Sequence, residues 1–329
     1  MGNVSVDVVL GLQYGDEGKG KITHRLAKNG YDAVVRFNGG GNAGHTIFHN
    51  GVKYVTHIIP CGVFYNTLSV IGNGCVVELN NFFKELDYLN SHGIDTSLVK
   101  IAENAHIVTT AQKEEDSKDN TIGTTKTGNG PCYRDKYARV GVRANEIELL
   151  KPYLINMDDL IYSSGASNFL AEGAQAFGLD VDWGDYPYVT SSHCGIGAVL
   201  LNGFNHKQIN KVYGVIKAYT TYVGAKKFQP DDPIFDKLRE IGGEYGATTG
   251  RPRQCNWLDL NLVEKAARMN GVDHLLVNKM DIIQEIENEV GWNVYCGTGL
   301  YQMNNECDFK SLIARRLNGI AIEFSYSPE

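Results

Sequence analysis

The chain lacks most of the features that mark specialised protein classes. Its seven cysteines (Cys61, Cys75, Cys132, Cys194, Cys255, Cys296 and Cys307) are odd in number and never spaced C-x-x-C, so neither a disulfide framework nor a zinc site is indicated, and free thiols in a reducing compartment are expected. No apolar run is long enough to span a bilayer, and no basic stretch leads into an apolar segment at the N-terminus; a cytoplasmic protein without a membrane partner is expected. An excess of Lys and Arg is missing too. With 31 of them against 38 Asp and Glu the net charge is -7, which argues against general nucleic-acid binding, although a small anionic ligand needs only a local cluster. Internal repeats and low-complexity tracts are absent. What abounds is glycine, 37 in 329 residues, beside 43% hydrophobic residues: a large core served by many backbone-lined loops.

The loop on which the rest is organised lies at the start. The apolar run Val4 to Leu10 reads as a strand, turns through Gly11-Leu12-Gln13-Tyr14-Gly15 and passes via Asp16-Glu17-Gly18-Lys19 into a helix over Gly20 to Lys28. Backbone N–H groups at such a helix start converge on an anion, so a nucleotide phosphate is the first ligand to consider. Gly15, Gly20 and Lys21 satisfy G-x-x-x-x-G-K, but Ile22 stands where a P-loop needs a hydroxyl for Mg²⁺. Asp16 puts a carboxylate where phosphate would bind. Two negative groups repel unless a cation or a transferable proton lies between them, so Asp16 is a metal ligand, a base or both; the plain alternative is an N-cap.

Further loops follow strand candidates. Ala33 to Phe37 runs into Asn38 to Thr46, with four glycines, Asn42 and His45; a lone His is usually structural, but here it shares a ligand loop. Lys53 to His57 and Leu68 to Ile71 read as strands, Asn80 to Ser91 as a helix with a core stripe of Phe82, Phe83, Leu86 and Leu89, and Lys113 to Asp119 as a solvated, mobile stretch. Ile122 to Pro131 is too polar and glycine-rich for strand or helix, and its Thr hydroxyls and Lys suit a monophosphate or, failing that, a linker. Arg134 to Arg143 is basic. Phe169 to Glu172 and Lys211 to Tyr219 read as strands, Leu262 to Met269 as a helix, and Ile320 to Glu329 as a final strand segment. Gly246 to Arg253 presents two hydroxyls and two guanidiniums, which suits a dicarboxylate. Leu275 to Val277 leads into Asn278-Lys279-Met280-Asp281, where an Asp can accept from the N1–H and 2-amino group of guanine. The alternation predicts an α/β fold with a mainly parallel central sheet, helices on both faces and ligand loops at strand ends, as one domain over 1–329 with small appended lobes.

In this order, G-L-Q-Y-G-D-E-G-K-G-K, G-N-A-G-H-T, I-G-T-T…G-N-G-P, E-G-A-Q, Y-P-Y-V-T-S-S, G-A-T-T-G-R and N-K-M-D closely resemble the adenylosuccinate synthetase family over nearly the whole chain. The resemblance implies a P-loop-NTPase-related homodimer that uses GTP and Mg²⁺ to join L-aspartate to C6 of IMP. It implies that Asp16 takes the N1 proton and ligates Mg²⁺ with the Gly44 carbonyl, that His45 stabilises the transferring phosphoryl group, and that Gln175 orients O6. Gly15, Lys19, Gly20, Asn42, Thr125 and Thr190 would hold the nucleoside monophosphate, with Val223 at the ribose and Arg139 reaching in from the second subunit. Thr248, Thr249 and Arg251 would take aspartate; Glu17, Gly18, Arg253, Lys279, Asp281 and Ser325 would take GTP.

Departures stand beside these matches. The chain is short for the family and resembles its compact archaeal and bacteriophage members. Where the family commonly has Thr-Arg-Val-Gly-Ala-Gly-Pro-Phe, this chain has Thr221-Tyr222-Val223-Gly224-Ala225-Lys226-Lys227-Phe228; Pro252 interrupts the Arg loop, and Ser325-Tyr326-Ser327-Pro328 replaces Ser-Thr-Gly-Pro. Shortness and the altered loop point toward a viral enzyme, in the host cytoplasm, that uses GTP and accepts dGMP on a diaminopurine DNA route; IMP is the alternative acceptor. A guanine-nucleotide switch without ligase activity is the rival class, disfavoured by Ile22 and by the carboxylate-binding loop, and a binding protein that has lost catalysis is a third, disfavoured by Asp16, His45 and Gln175.

Overall fold

The computed structural model describes residues 4–246 and 250–327. Among these, nine strands form one all-parallel sheet in the spatial order Leu154–Ile155, Val99–Ala102, Leu68–Ile71, Ala33–Arg36, Asn168–Glu172, Ser5–Gly11, Ile209–Lys217, His274–Asn278, Ala321–Phe324. The central strand Ser5–Gly11 buries Val6, Val8, Val9 and Leu10 because both of its faces are covered. Val6, Val8 and Leu10 pack on one side with Phe169, Leu260 and Val263, the last two from the helix Leu260–Asn270; Val9 packs on the other with Ile22 and Leu26 of the helix Lys19–Ala27. A further cluster lies beneath the helix Leu79–Ser91, where Phe82, Leu86 and Leu89 meet Ile71 and Ile101. The mainly parallel sheet with helices on both faces is therefore as expected. None of the described helices is long and apolar enough to cross a membrane.

Three readings need correction. Of Lys113 to Asp119, all but the C-cap Asp119 belong to the helix Thr110–Lys118, which a reciprocal cap between Thr109 and Gln112 starts. The polar loop after it ends early, because Asn129 to Pro131 open the helix Asn129–Ala138; proline is tolerated in a first turn, where its missing N–H has no intrahelical partner. Lys211 to Tyr219 is two strands: Ile209–Lys217 ends in the main sheet, and after Ala218 the strand Tyr219–Tyr222 pairs antiparallel with Gln254–Asp259. That break carries the chain over the carboxyl edge of the sheet, above the loop that follows Gly11.

Phe169 is fully buried and meets Phe204 edge-on at 5.2 Å between ring centres. Phe169→Ala should cost about 3–5 kcal/mol in denaturant unfolding; a loss below about 1 kcal/mol would show that the core is not packed as described.

Candidate functional site

The carboxyl ends of the parallel strands meet at one crevice, and the loop between Gly11 and Lys19 is folded there by its own side chains. Glu17 is fully buried; its Oε1 accepts from the N–H groups of Gln13 (3.2 Å) and Gly15 (2.8 Å), and its Oε2 pairs with Lys19 Nζ at 2.6 Å. Gln13 donates to the carbonyls of Lys217 and Tyr219 and accepts from the Lys217 N–H, which fixes the loop to the next strand. Asn278 Nδ2 donates to the Glu17 carbonyl at 2.7 Å from the far side. So tied, the loop puts Gly15, Asp16 and Gly18 in left-handed conformations, with Asp16 at φ 59°, and leaves the Asp16 carboxylate at the surface of the crevice. The side chains of Glu17 and Lys19 are thereby engaged with each other, so the Glu17 side chain, expected at GTP, is turned into its own loop.

His45 begins the hairpin His45–His49/Val52–Thr56 and lies against the helix start: a Cβ on Gly20 would stand 2.7 Å from the Cβ of His45, so only glycine admits this approach. Its Nδ1 is 2.8 Å from Glu172 Oε1. The same carboxylate accepts from Arg36 Nη1 at 3.2 Å and from the Cys61 N–H at 2.9 Å. Burial alone would raise Glu172, but His45, Arg36 and the Cys61 N–H overcome it and hold the group at about 2. Burial pushes His45 below its ordinary range against the pull of Glu172. Since an ionised carboxylate can only accept, Nδ1 carries the proton; Nε2 is buried without a protein partner, a polar atom awaiting one.

Gln175 follows the strand Asn168–Glu172 in a left-handed conformation and donates through Nε2 to Asn42 Oδ1 at 3.1 Å, leaving its own Oε1 buried and unpartnered. Gln175 and Asn42 are thus brought together. Thr125 Oγ1 lies 3.0 Å from Thr127 Oγ1 in a loop tied down by Arg251 Nη1 to the Gly123 carbonyl (3.0 Å) and by the Ala225 N–H to the Ile122 carbonyl (3.1 Å). That join sets the loops of Thr125, Val223 and Arg251 side by side. Thr190 is anchored by its N–H to the Leu179 carbonyl, while Arg139 caps the helix Asn129–Ala138 in a left-handed conformation, exposed and next to exposed Tyr137 and Val140. Thr248, Thr249 and Pro328 lie outside the described residues.

In the first turn of the helix Lys19–Ala27, Lys21 nevertheless turns away from the anion loop. Its Nζ donates to Ser325 Oγ (2.7 Å) and the Ser327 carbonyl (2.6 Å), next to Lys279 in its left-handed cap and Asp281 in the first helical turn. The apparent phosphate lysine therefore braces the segment expected to meet guanine. Four residues not singled out from sequence organise the site: Glu172 and Arg36 at strand ends, Lys217, and Glu244. A charge at the end of an apolar strand, as in Ala33-Val34-Val35-Arg36 and Phe169-Leu170-Ala171-Glu172, was the available signal for the first two.

Asp16, about one-third open, and half-buried Gly44 offer hard oxygens, a carboxylate and a carbonyl, of the kind Mg²⁺ takes.

Residues 8–149 and 145–306 match the adenylosuccinate synthetase family. A curated adenylosuccinate synthetase from Acetivibrio thermocellus is 40% identical over 360 residues, covering 93% of this chain and 85% of its own length; one from Thermus thermophilus is 37% identical, covering 85% and 79%. The fully ligated adenylosuccinate synthetase of Plasmodium falciparum superposes with a TM-score of 0.88 at 29% identity over 100% of this chain and 98% of its own. The succinoaminodeoxyadenylate synthetase of cyanophage S-2L, bound to dGMP and dATP as an energy donor, superposes at 0.70 with 19% identity over 95% and 99%, a likeness of fold alone.

Because the Glu172 carboxyl is held down at about 2 from an ordinary 4.5, its contribution to stability is complete above about pH 4.5 and is lost as pH falls through about 2. Glu172→Gln should cost about 3–5 kcal/mol at pH 7, since it strands a buried Arg36, and the deficit against wild type should shrink between pH 4.5 and 2. A deficit that stays constant down to pH 2 would contradict the assignment.

Proposed function

We propose that this chain, which belongs to the adenylosuccinate synthetase family, joins L-aspartate to C6 of IMP and releases GDP and phosphate. Membership makes it a ligase that forms a C–N bond and uses GTP and Mg²⁺. The observation that carries the reading is a carboxylate, Asp16, set in an anion-binding loop whose helix start touches a His45–Glu172 pair.

The chemistry follows from the substrate. The C6 oxygen of a lactam purine is a poor leaving group and must first be phosphorylated. Asp16 takes the N1 proton, O6 attacks the γ-phosphorus as the bond to the bridging oxygen breaks, and GDP departs. Gln175, whose Oε1 has no protein partner, orients the purine at this edge. The Nε2 of His45 is bare while the ring is neutral; the charge of an approaching triphosphate favours the imidazolium, stabilised from behind by Glu172, and Nε2–H then donates to the phosphoryl oxygens. Asp16 and the Gly44 carbonyl would hold Mg²⁺, which would supply charge neutralisation there. The amine of aspartate finally displaces phosphate from C6.

In this reading Asn42, Thr125 and Thr190 hold the 5′-phosphate, Val223 the ribose, Thr248, Thr249 and Arg251 aspartate, and Lys279, Asp281 and Ser325 guanine. Arg139 completes the phosphate site of a second copy, and the exposed Tyr137 and Val140 beside it give that copy an apolar footing. The acceptor is assigned as IMP on the identity to curated relatives. A second reading, dGMP, draws on one feature: two of the departures from the family sequence lie together, with Tyr222 edge-on to Tyr14 at 5.9 Å and Lys226 over the Tyr14 ring and paired with Asp185.

Supplied with aspartate, GTP and Mg²⁺, the protein should convert IMP to adenylosuccinate by mass, with less than a tenth of that rate on GMP or dGMP; a reversed order would select the second reading, and GTP cleavage without aspartate dependence would exclude ligation. Asp16→Asn should lower turnover at least 10³-fold in a folded protein. Mixing Arg139→Leu with Asp16→Ala subunits should restore up to a quarter of wild-type activity; no recovery at any ratio would remove the shared site.

A further inference from the structure

The carboxylate of Asp16 has a partner. Arg253 Nε stands 2.8 Å from Asp16 Oδ2, and the same guanidinium donates through Nη1 to Glu244 Oε2 at 2.5 Å. Glu244 accepts at Oε1 from Tyr219 OH at 2.5 Å and from Lys217 Nζ at 3.1 Å, and Lys217 Nζ also donates to Thr221 Oγ1 at 2.5 Å. Lys217, Tyr219 and Glu244 are closed to water, whereas Asp16 is about one-third open. Two cations and two carboxylates alternate along Lys217, Glu244, Arg253 and Asp16, so the chain of charges is neutral as a unit and each buried member is matched. Burial alone would raise Glu244; Lys217 and Arg253 overcome it and hold the carboxyl at about 2.

The two contacts of Arg253 differ in kind. Nη1 makes an aligned, charge-assisted hydrogen bond to a fully buried acceptor, while Nε is near Asp16 in distance but off line for a hydrogen bond. A guanidinium so held has a firm pivot and a loose end. The backbone repeats the arrangement: the Arg253 N–H donates to the Glu244 carbonyl at 2.9 Å and the Gly246 N–H to the Arg251 carbonyl at 2.8 Å, so Glu244 also anchors the neck of the Arg251 loop.

We propose that Glu244, backed by Lys217, is a positioning residue for the reaction: it pivots Arg253, which rests against Asp16 until the phosphates of the donor nucleotide draw the guanidinium over and leave the carboxylate to the purine. This rests on the reading of Asp16 as the base. The step exchanges one ion pair for another and makes no covalent bond. A triphosphate carries more charge than one carboxylate, so the exchange favours the nucleotide, and release of the base is tied to the presence of the donor.

The test is the affinity for GTP by calorimetry with Mg²⁺ chelated, a readout that does not involve the acceptor, so failure of the assigned substrate is told apart from failure of the pivot. Arg253→Gln and Glu244→Gln should each weaken GTP tenfold or more, and the double variant should bind within twofold of Arg253→Gln, because Glu244 acts only through Arg253. Asp16→Asn should tighten GTP at least threefold with Arg253 present and not at all in Arg253→Gln. Losses that multiply in the double variant, wild-type affinity in Glu244→Gln, or tightening by Asp16→Asn that persists without Arg253 would each overturn the proposal. Should Glu244→Gln fail to fold, Lys217→Met should weaken GTP at least threefold and Lys217→Arg restore it; equal affinities for those two would overturn it likewise.

Discussion

One buried carboxylate, Glu172, holds the carboxyl edge of the sheet together. It ends the strand beside Ser5–Gly11 and is shared by Arg36 from the next strand, His45 from the hairpin and the Cys61 N–H from the turn beyond it. A charge enclosed in this way is stable only while all its partners are in place, so the arrangement is cooperative: three separate chain segments are fixed by one point of negative charge. The consequence for chemistry is that His45 presents its free nitrogen from a rigid backing, close against the helix start at Gly20.

The anion loop is fixed by the same logic on the other side of the crevice. Glu17 fills the loop with a carboxylate that satisfies its own N–H groups, Gln13 fastens it to Lys217, and Asn278 fastens it to the strand before the guanine segment. A glycine-rich turn would otherwise be mobile. Here its side chains compete for the inward hydrogen bonds and leave Asp16 as the carboxylate that faces outward, and the residues expected at guanine, at aspartate and at the purine are mechanically joined through it.

How much of this was legible from the residues alone depended on how local the signal was. The strand and helix around Val4 to Lys28, the Phe82 to Leu89 stripe and the parallel sheet could be read because apolar periodicity is a short-range property. The helix Thr110–Lys118 was missed because it is polar on nearly every side and owes its start to a cap and its place to Asp116, which accepts from the Gly128 N–H and Thr124 hydroxyl of the next loop. Lys21 matched a phosphate motif by spacing yet braces Ser325, 304 residues away, and Glu244 with Lys217 carried no local mark. Pairings of that kind are decided by tertiary packing, which no window of sequence contains. Motif order carried the family and the ligand loops; the supports behind Asp16 and His45 emerged only in three dimensions.

In the proposed reaction a proton is taken from a purine ring so that its neighbouring oxygen can receive a phosphoryl group, and the two residues assigned to it are braced separately, Asp16 by Arg253 and Glu244 and His45 by Glu172. The most direct test follows the oxygen itself. With IMP carrying ¹⁸O at C6, GTP, aspartate and Mg²⁺, each turnover should place one ¹⁸O in the released phosphate, as read by the isotope shift in its ³¹P spectrum. Phosphate free of the label, alongside adenylosuccinate formed at the normal rate, would mean that O6 is never phosphorylated and would contradict the account.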